Sequence, residues 1–218
     1  MSIFSDRREA GKLLAEQLLQ FADKPDVLVL ALPRGGVPVA FEVAKKLKAP
    51  LDIFIVRKLG VPGHEELAMG AIATGGIRVM NEEVMNYLDI HQLTIEQVTQ
   101  RELREIRRRE EQYRGNRNEP IIKNKDIIII DDGLATGSTM KAGIKALKLQ
   151  KPASITVGVP VADPDICNEI GKLVEQIVCL EKPTNLIAVG KWYQDFSQTT
   201  DEEVIELLHQ SRAFQNVF

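Results

Sequence analysis

The stretch Ile127-Ile-Ile-Ile-Asp-Asp-Gly-Leu-Ala-Thr-Gly-Ser-Thr-Met140 decides both the fold and the site. Its four isoleucines predict a strand buried on both faces, as in the middle of a parallel sheet. Asp131 and Asp132 follow directly, and the small residues after them predict a turn that opens a helix, whose free N–H groups favour an anion. This arrangement predicts a ligand that carries a phosphate together with a diol or a bound metal.

Strand and helix patterns alternate on both sides of this stretch. Residues 27–32 predict a buried strand, a helical pattern follows, and residues 51–56 predict a second strand, so the three form a βαβ unit. Two more strands are predicted at residues 155–161 and 177–180, each preceded by a helix. We therefore expect an α/β protein with one core of about five parallel strands.

Length, composition and charge exclude several classes of protein. The 218 residues include 28 Lys and Arg against 31 Asp and Glu, and the net charge of −3 argues against a chain-wide nucleic-acid surface. The longest apolar runs have the length of strands, so we expect no membrane span and no signal peptide. Two cysteines without a CxxC motif suit a reducing compartment. We expect a single domain over residues 1–218, located in the cytoplasm.

Two segments interrupt the alternation. Residues 57–76 contain five glycines and one proline without a clear period, which predicts a partly mobile loop. Residues 81–117 predict a helical insert with a thin apolar stripe and, from residue 101 to residue 117, seven arginines against four glutamates. RNA contact is one interpretation of these arginines, whereas the interleaved glutamates favour ion pairs on a solvated or interface helix. The arginines are Arg101, Arg104, Arg107, Arg108, Arg109, Arg114 and Arg117.

The segment 127–140 resembles the motif with which type I phosphoribosyltransferases bind phosphoribosyl pyrophosphate (PRPP), where four apolar residues precede two acids and a Thr-Gly-x-Thr loop. The resemblance implies that Asp131 and Asp132 hold the ribose hydroxyls of PRPP. It implies that the next loop wraps the 5′-phosphate, with Ala135, Thr136, Gly137, Ser138 and Thr139. It also implies a Mg²⁺ ion held mainly by PRPP, for which Asp131, Asp132 and Asp195 are candidate ligands.

A second motif, Leu32-Pro-Arg-Gly-Gly36, follows the first predicted strand, where the family places its pyrophosphate loop. Arg34 can hold a phosphate in a bidentate fork, and Gly35 and Gly36 let the backbone approach a ligand closely. Arg57 and Lys58 resemble a basic pair that the family places near the pyrophosphate, although a solvated strand end would look the same. The predicted catalytic residues are Arg34, Asp131 and Asp132.

The resemblance covers most of the chain outside the insert. It implies that residues 57–76 form a lid that excludes water from an oxocarbenium-like ribosyl cation. It also implies that residues 181–218 include a hood, in which Trp192 and Tyr193 stack on the acceptor base. Ala135 stands where enzymes acting on hypoxanthine or guanine carry an aspartate base. The motifs together most resemble a bacterial group of predicted phosphoribosyltransferases whose acceptor is not established.

Two hypotheses from different functional classes follow. The first is a Mg²⁺-dependent enzyme, expected to be a homodimer, that transfers the phosphoribosyl group of PRPP to a nitrogen acceptor, above all a nucleobase, and releases pyrophosphate. The alternative is a regulator that senses PRPP or nucleotides and binds RNA through the basic insert. RNA binding with a steep salt dependence and without turnover would identify the regulator.

Overall fold

A five-stranded parallel sheet forms the centre of the computed structural model, which describes residues 3–214. Each neighbouring pair in the sheet is parallel, and Val29 of one central strand lies beside Ile128 of the next. The predicted α/β class, with about five parallel strands, is therefore confirmed. In sheet order the strands are β2 (Leu51–Ile53), β1 (Val27–Ala31), β6 (Asp126–Ile130), β7 (Ser154–Val161) and β8 (Gln176–Glu181).

Helices cover both faces of this sheet. One face carries α1 (Arg7–Glu16), α2 (Gly36–Leu47) and α7 (Asp201–Gln210), and the other carries α5 (Ser138–Leu149) and α6 (Pro164–Gly171). Because side chains alternate along a strand, Ile128 and Ile130 join the first core, whereas Ile127 and Ile129 join the second. All four isoleucines are fully buried. After Asp126, β6 therefore has no position that faces solvent, and each of its remaining residues is apolar.

Residues 57–76 do not form the partly mobile loop that their glycines predict. They belong to a three-stranded antiparallel sheet of β3 (Val56–Val61), β4 (His64–Ala73) and β5 (Ile77–Met80). Gly63 has a φ of 80° in the turn between the first two strands. Gly70 lies so close to the third strand that a Cβ there would come within 2.6 Å of the Val79 carbonyl oxygen. The glycines thus serve a hairpin turn and a close strand contact.

Residues 81–117 contain two helices, α3 (Glu82–Tyr87) and α4 (Gln92–Arg114). Ile95, Val98 and Ile106 of α4 are buried in the first core, so this helix is part of the domain rather than an appended arm. At its end, Arg114 is 2% exposed and donates to the Asp52 carboxylate at 2.8 Å. The insert is therefore attached to β2 at the edge of the main sheet.

The start of the described chain meets the segment 192–194 beside the carboxyl edge of the main sheet. The Phe4 amide donates to the Trp192 carbonyl at 3.0 Å, and the Gln194 amide donates to the Phe4 carbonyl at 2.8 Å. The predicted hood contains a short 3-10 turn, Val189–Trp192, and α7, whereas its residues 215–218 lie outside the described residues. Across residues 3–214, none of the helices has the length and apolar character that crossing a membrane requires.

Candidate active site

The end of β6 brings Asp131 and Asp132 to the carboxyl edge of the sheet, where doubly wound proteins bind ligands. Both residues are partly buried. Burial and the neighbouring Asp132 carboxylate raise the pKa of Asp131 well above its usual value. Burial also raises the pKa of Asp132, although Arg7 acts in the opposite direction. Two carboxylates brought together out of water favour a partner that donates hydrogen bonds or carries positive charge.

The loop before α5 presents exposed donors to the same edge. Gly137 has a φ of 67°, and a Cβ there would lie 2.7 Å from the Ile166 Cγ2 atom, so glycine is required. The Thr136 and Ser138 hydroxyl oxygens are 3.1 Å apart, and both residues are exposed. The N-cap residue of α5 is Gly137, which has no side chain to cap the helix, and the Ser138 amide makes a long hydrogen bond, at 3.4 Å, to the Thr136 hydroxyl. The first N–H groups of α5 and these hydroxyls form a site suited to a phosphate.

The loop Pro33-Arg34-Gly35-Gly36 approaches the acid pair from the end of β1, and its Pro33–Arg34 peptide bond is cis. A Cβ on Gly35 would lie 2.1 Å from the Asp132 Oδ2 atom, and one on Gly36 would lie 2.7 Å from the Ile130 carbonyl oxygen. The sequence predicts that these glycines make room for a ligand. In the structure the room they make is filled by the acid-pair loop, and this packing brings the two predicted ligand loops together.

Arg34 is held at its guanidinium by the first residue of α7. Its Nη1 atom lies 3.5 Å from the Asp201 Oδ1 atom, and its side chain is 33% exposed. The Tyr113 hydroxyl donates to the same Asp201 oxygen at 2.5 Å. Burial, followed by the hydrogen bond to Asp201, raises the pKa of Tyr113 to about 12, which keeps that donor protonated. Arg34 is thus oriented by a long ion pair but keeps donors for an anion.

Arg57 and Lys58 point to opposite faces of β3, because side chains alternate along a strand. Arg57 donates to the Glu102 carboxylate of α4 at 2.8 Å. Lys58 instead lines a cavity of about 660 Å³ whose wall includes Ser138 and Thr139 of the phosphate loop. The structure therefore brings Lys58 to the predicted 5′-phosphate site and directs Arg57 to α4, so the two do not form a joint basic pair.

Arg7, at the start of α1, is a site residue that the sequence analysis does not identify. Its Nε atom donates to Asp132 Oδ2 at 2.8 Å, and its Nη1 atom donates to the Ser197 carbonyl at 2.8 Å. The Arg7 Cζ atom lies 3.8 Å from the centre of the Phe196 ring, within cation–π distance. Residues 7 and 132 are 125 positions apart, so no local pattern could have linked them.

Trp192 and Tyr193 have different surroundings. Tyr193 is 4% exposed, its ring centre is 5.4 Å from that of Phe4, and its hydroxyl donates to the Asp132 carbonyl at 2.6 Å. The buried Tyr193 ring offers no open face to a base in this structure, which departs from the predicted stacking role. Trp192 is only partly buried.

The acid pair fits a Mg²⁺ ion that is held mainly by a ligand. Among the described residues, no three His, Cys, Asp or Glu side chains come together as a metal site. Mg²⁺ commonly takes one or two carboxylates and completes its shell with waters and substrate phosphates, and Asp131 and Asp132 supply such carboxylates. The third candidate, Asp195, is exposed and accepts a hydrogen bond from the Ser197 amide at 2.8 Å, which lowers its pKa.

Several arginines of the insert form ion pairs within the chain. Arg108 and Arg109 bind the Glu105 carboxylate at 2.8 and 2.7 Å. Arg101 binds Glu102 at 2.9 Å, and Arg114 is buried against Asp52. Of the two interpretations of this segment, these contacts match the helix with ion pairs along its length.

The parallel sheet, with an acid pair, a turn suited to a phosphate and a glycine loop at one edge, defines the class of α/β proteins with a ligand cleft at the carboxyl ends of the strands. The family model described as "Phosphoribosyl transferase domain" matches residues 6–190. The chain belongs to this family.

Relatives support the assignment. Two Mycobacterium tuberculosis proteins, each named a "Putative phosphoribosyl transferase", are 42% identical over 208 residues, which is 95% of this chain and 47% of each relative. The chain thus spans about half the length of these relatives. The TT1426 protein from Thermus thermophilus is 39% identical, with a TM-score of 0.84 over 95% of this chain and 98% of that one. The AQ2163 protein from Aquifex aeolicus shares the fold at 12% identity, with a TM-score of 0.51 over 86% of this chain and 85% of that one.

Proposed function

We propose that this chain transfers the phosphoribosyl group of PRPP to a nitrogen acceptor, above all a nucleobase, and releases pyrophosphate. The observation that carries the proposal is the meeting of the acid pair with two loops suited to phosphate at one sheet edge. Asp132 packs directly against Gly35, so both loops would contact a single ligand. Membership of the phosphoribosyl transferase family supports PRPP as the donor.

Each part of PRPP has a matching group in this arrangement. The Asp131 and Asp132 carboxylates would accept hydrogen bonds from the ribose hydroxyls, and charge-assisted bonds of this kind are among the stronger ones. The loop 135–139 and the start of α5 would hold the 5′-phosphate. Arg34 would bind the pyrophosphate, and Lys58 would add positive charge beside the 5′-phosphate loop. Mg²⁺, when bound, would neutralise charge on the pyrophosphate.

The chemical step needs positioning and charge stabilisation more than covalent help from the protein. The lone pair of the acceptor nitrogen would form a bond to C1′ while the bond from C1′ to the pyrophosphate oxygen breaks. The electron pair of that bond leaves with pyrophosphate, where Arg34 would offset the developing charge, and the acceptor nitrogen loses its proton to the departing pyrophosphate. Trp192 is the proposed stacking residue for the base.

Exclusion of water is the proposed task of the antiparallel sheet that contains the predicted lid residues, 57–76. Its β3 strand carries Lys58 into the cavity beside Ser138 and Thr139, so the sheet already borders the phosphate loop. We further propose that the protein forms a homodimer and acts in the cytoplasm. The resemblance stated above supports the homodimer, and the two free cysteines support a reducing compartment.

The test is pyrophosphate release from PRPP and Mg²⁺ across a panel of nucleobases, with a control that lacks an acceptor. We expect release with a restricted set of bases. In calorimetry, the double variant Asp131→Asn with Asp132→Asn should bind PRPP at least ~100-fold more weakly, because two charge-assisted acceptors are lost. The exposed Asp165, replaced in Asp165→Asn, provides the matched control and should bind as the parent does. Unchanged PRPP binding in the double variant would contradict the proposal.

A further inference from the structure

We propose that Arg7 is a positioning residue of the ribose site, which holds the Asp132 carboxylate in the orientation that accepts the ribose hydroxyls. The inference rests on the proposed function, since it concerns how that same site distinguishes a ribose from a bare phosphate. It adds to the site a residue from α1, 125 positions away from the acid pair.

The Asp132 carboxylate is confined by two neighbours. Gly35 leaves so little space that a Cβ would lie 2.1 Å from the Oδ2 atom. In addition, the Arg7 Nε atom donates to that same Oδ2 atom at 2.8 Å. A carboxylate has about four lone-pair positions, so one hydrogen bond from Arg7 leaves acceptor capacity for a ligand. The contact thus orients the Asp132 carboxylate and leaves it able to accept hydrogen bonds from a ligand.

Arg7 is itself held in place by the segment 193–197. The Ser197 carbonyl accepts from Nη1 at 2.8 Å, and the Phe196 ring lies 3.8 Å from the guanidinium carbon. The Arg7 side chain is only 11% exposed. In the same segment, the Tyr193 hydroxyl holds the backbone carbonyl of Asp132 at 2.6 Å. One segment therefore positions both partners of the ion pair.

A guanidinium suits this role better than an ammonium would. Its rigid fork donates to Asp132 and to Ser197 in two directions at once, and its flat face lies on the aromatic ring of Phe196. A lysine at position 7 would keep the charge but lose the fork. We therefore expect Arg7→Lys to recover only part of the function of Arg7.

Arg8, the next residue of α1, provides a matched control. Its Nε atom donates to the Glu42 carboxylate at 2.8 Å, and its Cζ atom lies 5.0 Å from the centre of the Phe41 ring. Arg8 therefore combines a carboxylate with an aromatic ring as Arg7 does, but both of its partners belong to α2. A general effect of removing an arginine from α1 would appear in both variants.

The experiment measures by calorimetry how tightly two probes bind: ribose 5-phosphate, which carries the diol, and inorganic phosphate, which does not. We expect the unmodified protein to prefer ribose 5-phosphate by about tenfold or more, as hydrogen bonds to a charged group would give. Arg7→Met should reduce this preference at least about fivefold, mainly because the variant binds ribose 5-phosphate more weakly. Arg8→Met should leave the preference and both affinities unchanged.

Each outcome decides between the two proposals. If the unmodified protein shows no preference for ribose 5-phosphate, the ribose site of the proposed function is wrong. If the preference is present and Arg7→Met keeps it, or loses affinity for both probes equally, Arg7 does not position Asp132 and the inference is overturned, while the proposed function stands. Should Arg7→Met fail to fold, Phe196→Leu tests the same contact, because it removes the aromatic face from the guanidinium. A smaller loss of preference is then expected, and an unchanged preference overturns the inference.

Discussion

Two Arg–Asp pairs in this molecule have the same length and different surroundings. Arg114 and Asp52 are 2.8 Å apart with side chains 2% and 9% exposed, and Arg7 and Asp132 are 2.8 Å apart with side chains 11% and 16% exposed. Asp52 lies within strand β2, whereas Asp132 lies just beyond the end of β6. A pair within the sheet can only join elements of the fold, but a pair beyond the end of a strand can share its carboxylate with a ligand.

The surroundings of Arg114 complete its structural role. Its Nη2 atom donates to the Ile53 carbonyl at 2.9 Å, and its Nη1 atom lies 3.3 Å from the Glu110 carboxylate. The Asp52 carboxylate also accepts from the Ile53 amide at 2.7 Å. These contacts offset much of the free-energy cost of burying the charges. The loss of one partner should therefore lower the free energy of unfolding strongly, because it leaves the other charge buried and unpaired.

Replacing Arg114 should therefore have the largest effect on stability. In Arg114→Met, the buried Asp52 carboxylate loses its counter-charge, and we expect the free energy of unfolding to fall by about 3–5 kcal/mol. Urea unfolding followed by circular dichroism measures this change. Binding of PRPP should remain within about twofold under conditions in which the variant is folded, since none of the proposed ligand groups contacts Arg114.

The control is the double variant Arg114→Met with Asp52→Leu, in which both charges of the Arg114–Asp52 pair are removed. It should recover a large part of the lost stability, because an apolar pair of similar volume can replace a buried ion pair. A loss below about 1 kcal/mol in the single variant would show that the two ion pairs differ less than their burial suggests.

The second prediction concerns the glycine loop that touches Asp132. In Gly35→Ala, the new Cβ would lie 2.1 Å from the Asp132 Oδ2 atom, so the carboxylate must leave the position in which it binds Arg7. We expect PRPP affinity in calorimetry to fall by about tenfold or more, and the free energy of unfolding to fall by about 1–3 kcal/mol from the crowding.

Gly171→Ala is the matched control for this variant. A Cβ on Gly171 would meet nothing closer than the Ile177 Cγ2 atom at 3.6 Å, which is an ordinary contact. This variant should bind PRPP as the parent does. If Gly35→Ala also binds normally, the position of Asp132 does not depend on the loop after β1.

The parts of the site that the sequence predicts are those determined by contiguous residues. The strand β6, its acids and the turn into α5 follow one another, so a local pattern is enough to place them. The opposite directions of the Arg57 and Lys58 side chains also follow from strand alternation, once residues 56–61 are recognised as a strand. The glycines of residues 57–76 prevented that strand from being predicted. In a sequence, a glycine required for a turn or a close contact looks the same as a glycine in a loop.

The pairing of Arg7 with Asp132 could not be predicted in this way. It depends on how α1 and the segment 193–197 pack on the end of β6, and a single sequence carries no signal for such contacts. The tight packing of Gly35 on Asp132 has the same origin. Two loops from different strands approach each other only after the sheet has formed, so the sequence predicts the loops but not their contact.

The smallest effect is expected for the ion pairs of α4 around Glu105, whose side chains are more exposed than those of the two Arg–Asp pairs. Glu105 binds Arg108 and Arg109 at distances of 2.8 and 2.7 Å, much as Asp52 binds Arg114. The hydrogen bond from Arg108, opposed in part by burial, and the second one from Arg109 lower the pKa of Glu105 to about 2. Because water screens these pairs, we expect Glu105→Gln to lower the free energy of unfolding by only about 0.5 kcal/mol at pH 7.

The pH dependence of this effect has a definite sign. A carboxyl group with a lowered pKa in the folded protein stabilises it fully above the unfolded value, near 4.5 here, and this contribution disappears as the pH falls toward about 2. The difference between the parent and Glu105→Gln should therefore shrink between pH 5 and pH 2.5 in urea unfolding. Glu111→Gln, an exposed change on the same helix, is the control for removing a carboxylate that these ion pairs do not include. A difference at pH 7 above about 1.5 kcal/mol would mean that burial is not what separates the Arg114 pair from the surface pairs, because geometry alone would then give the larger energy.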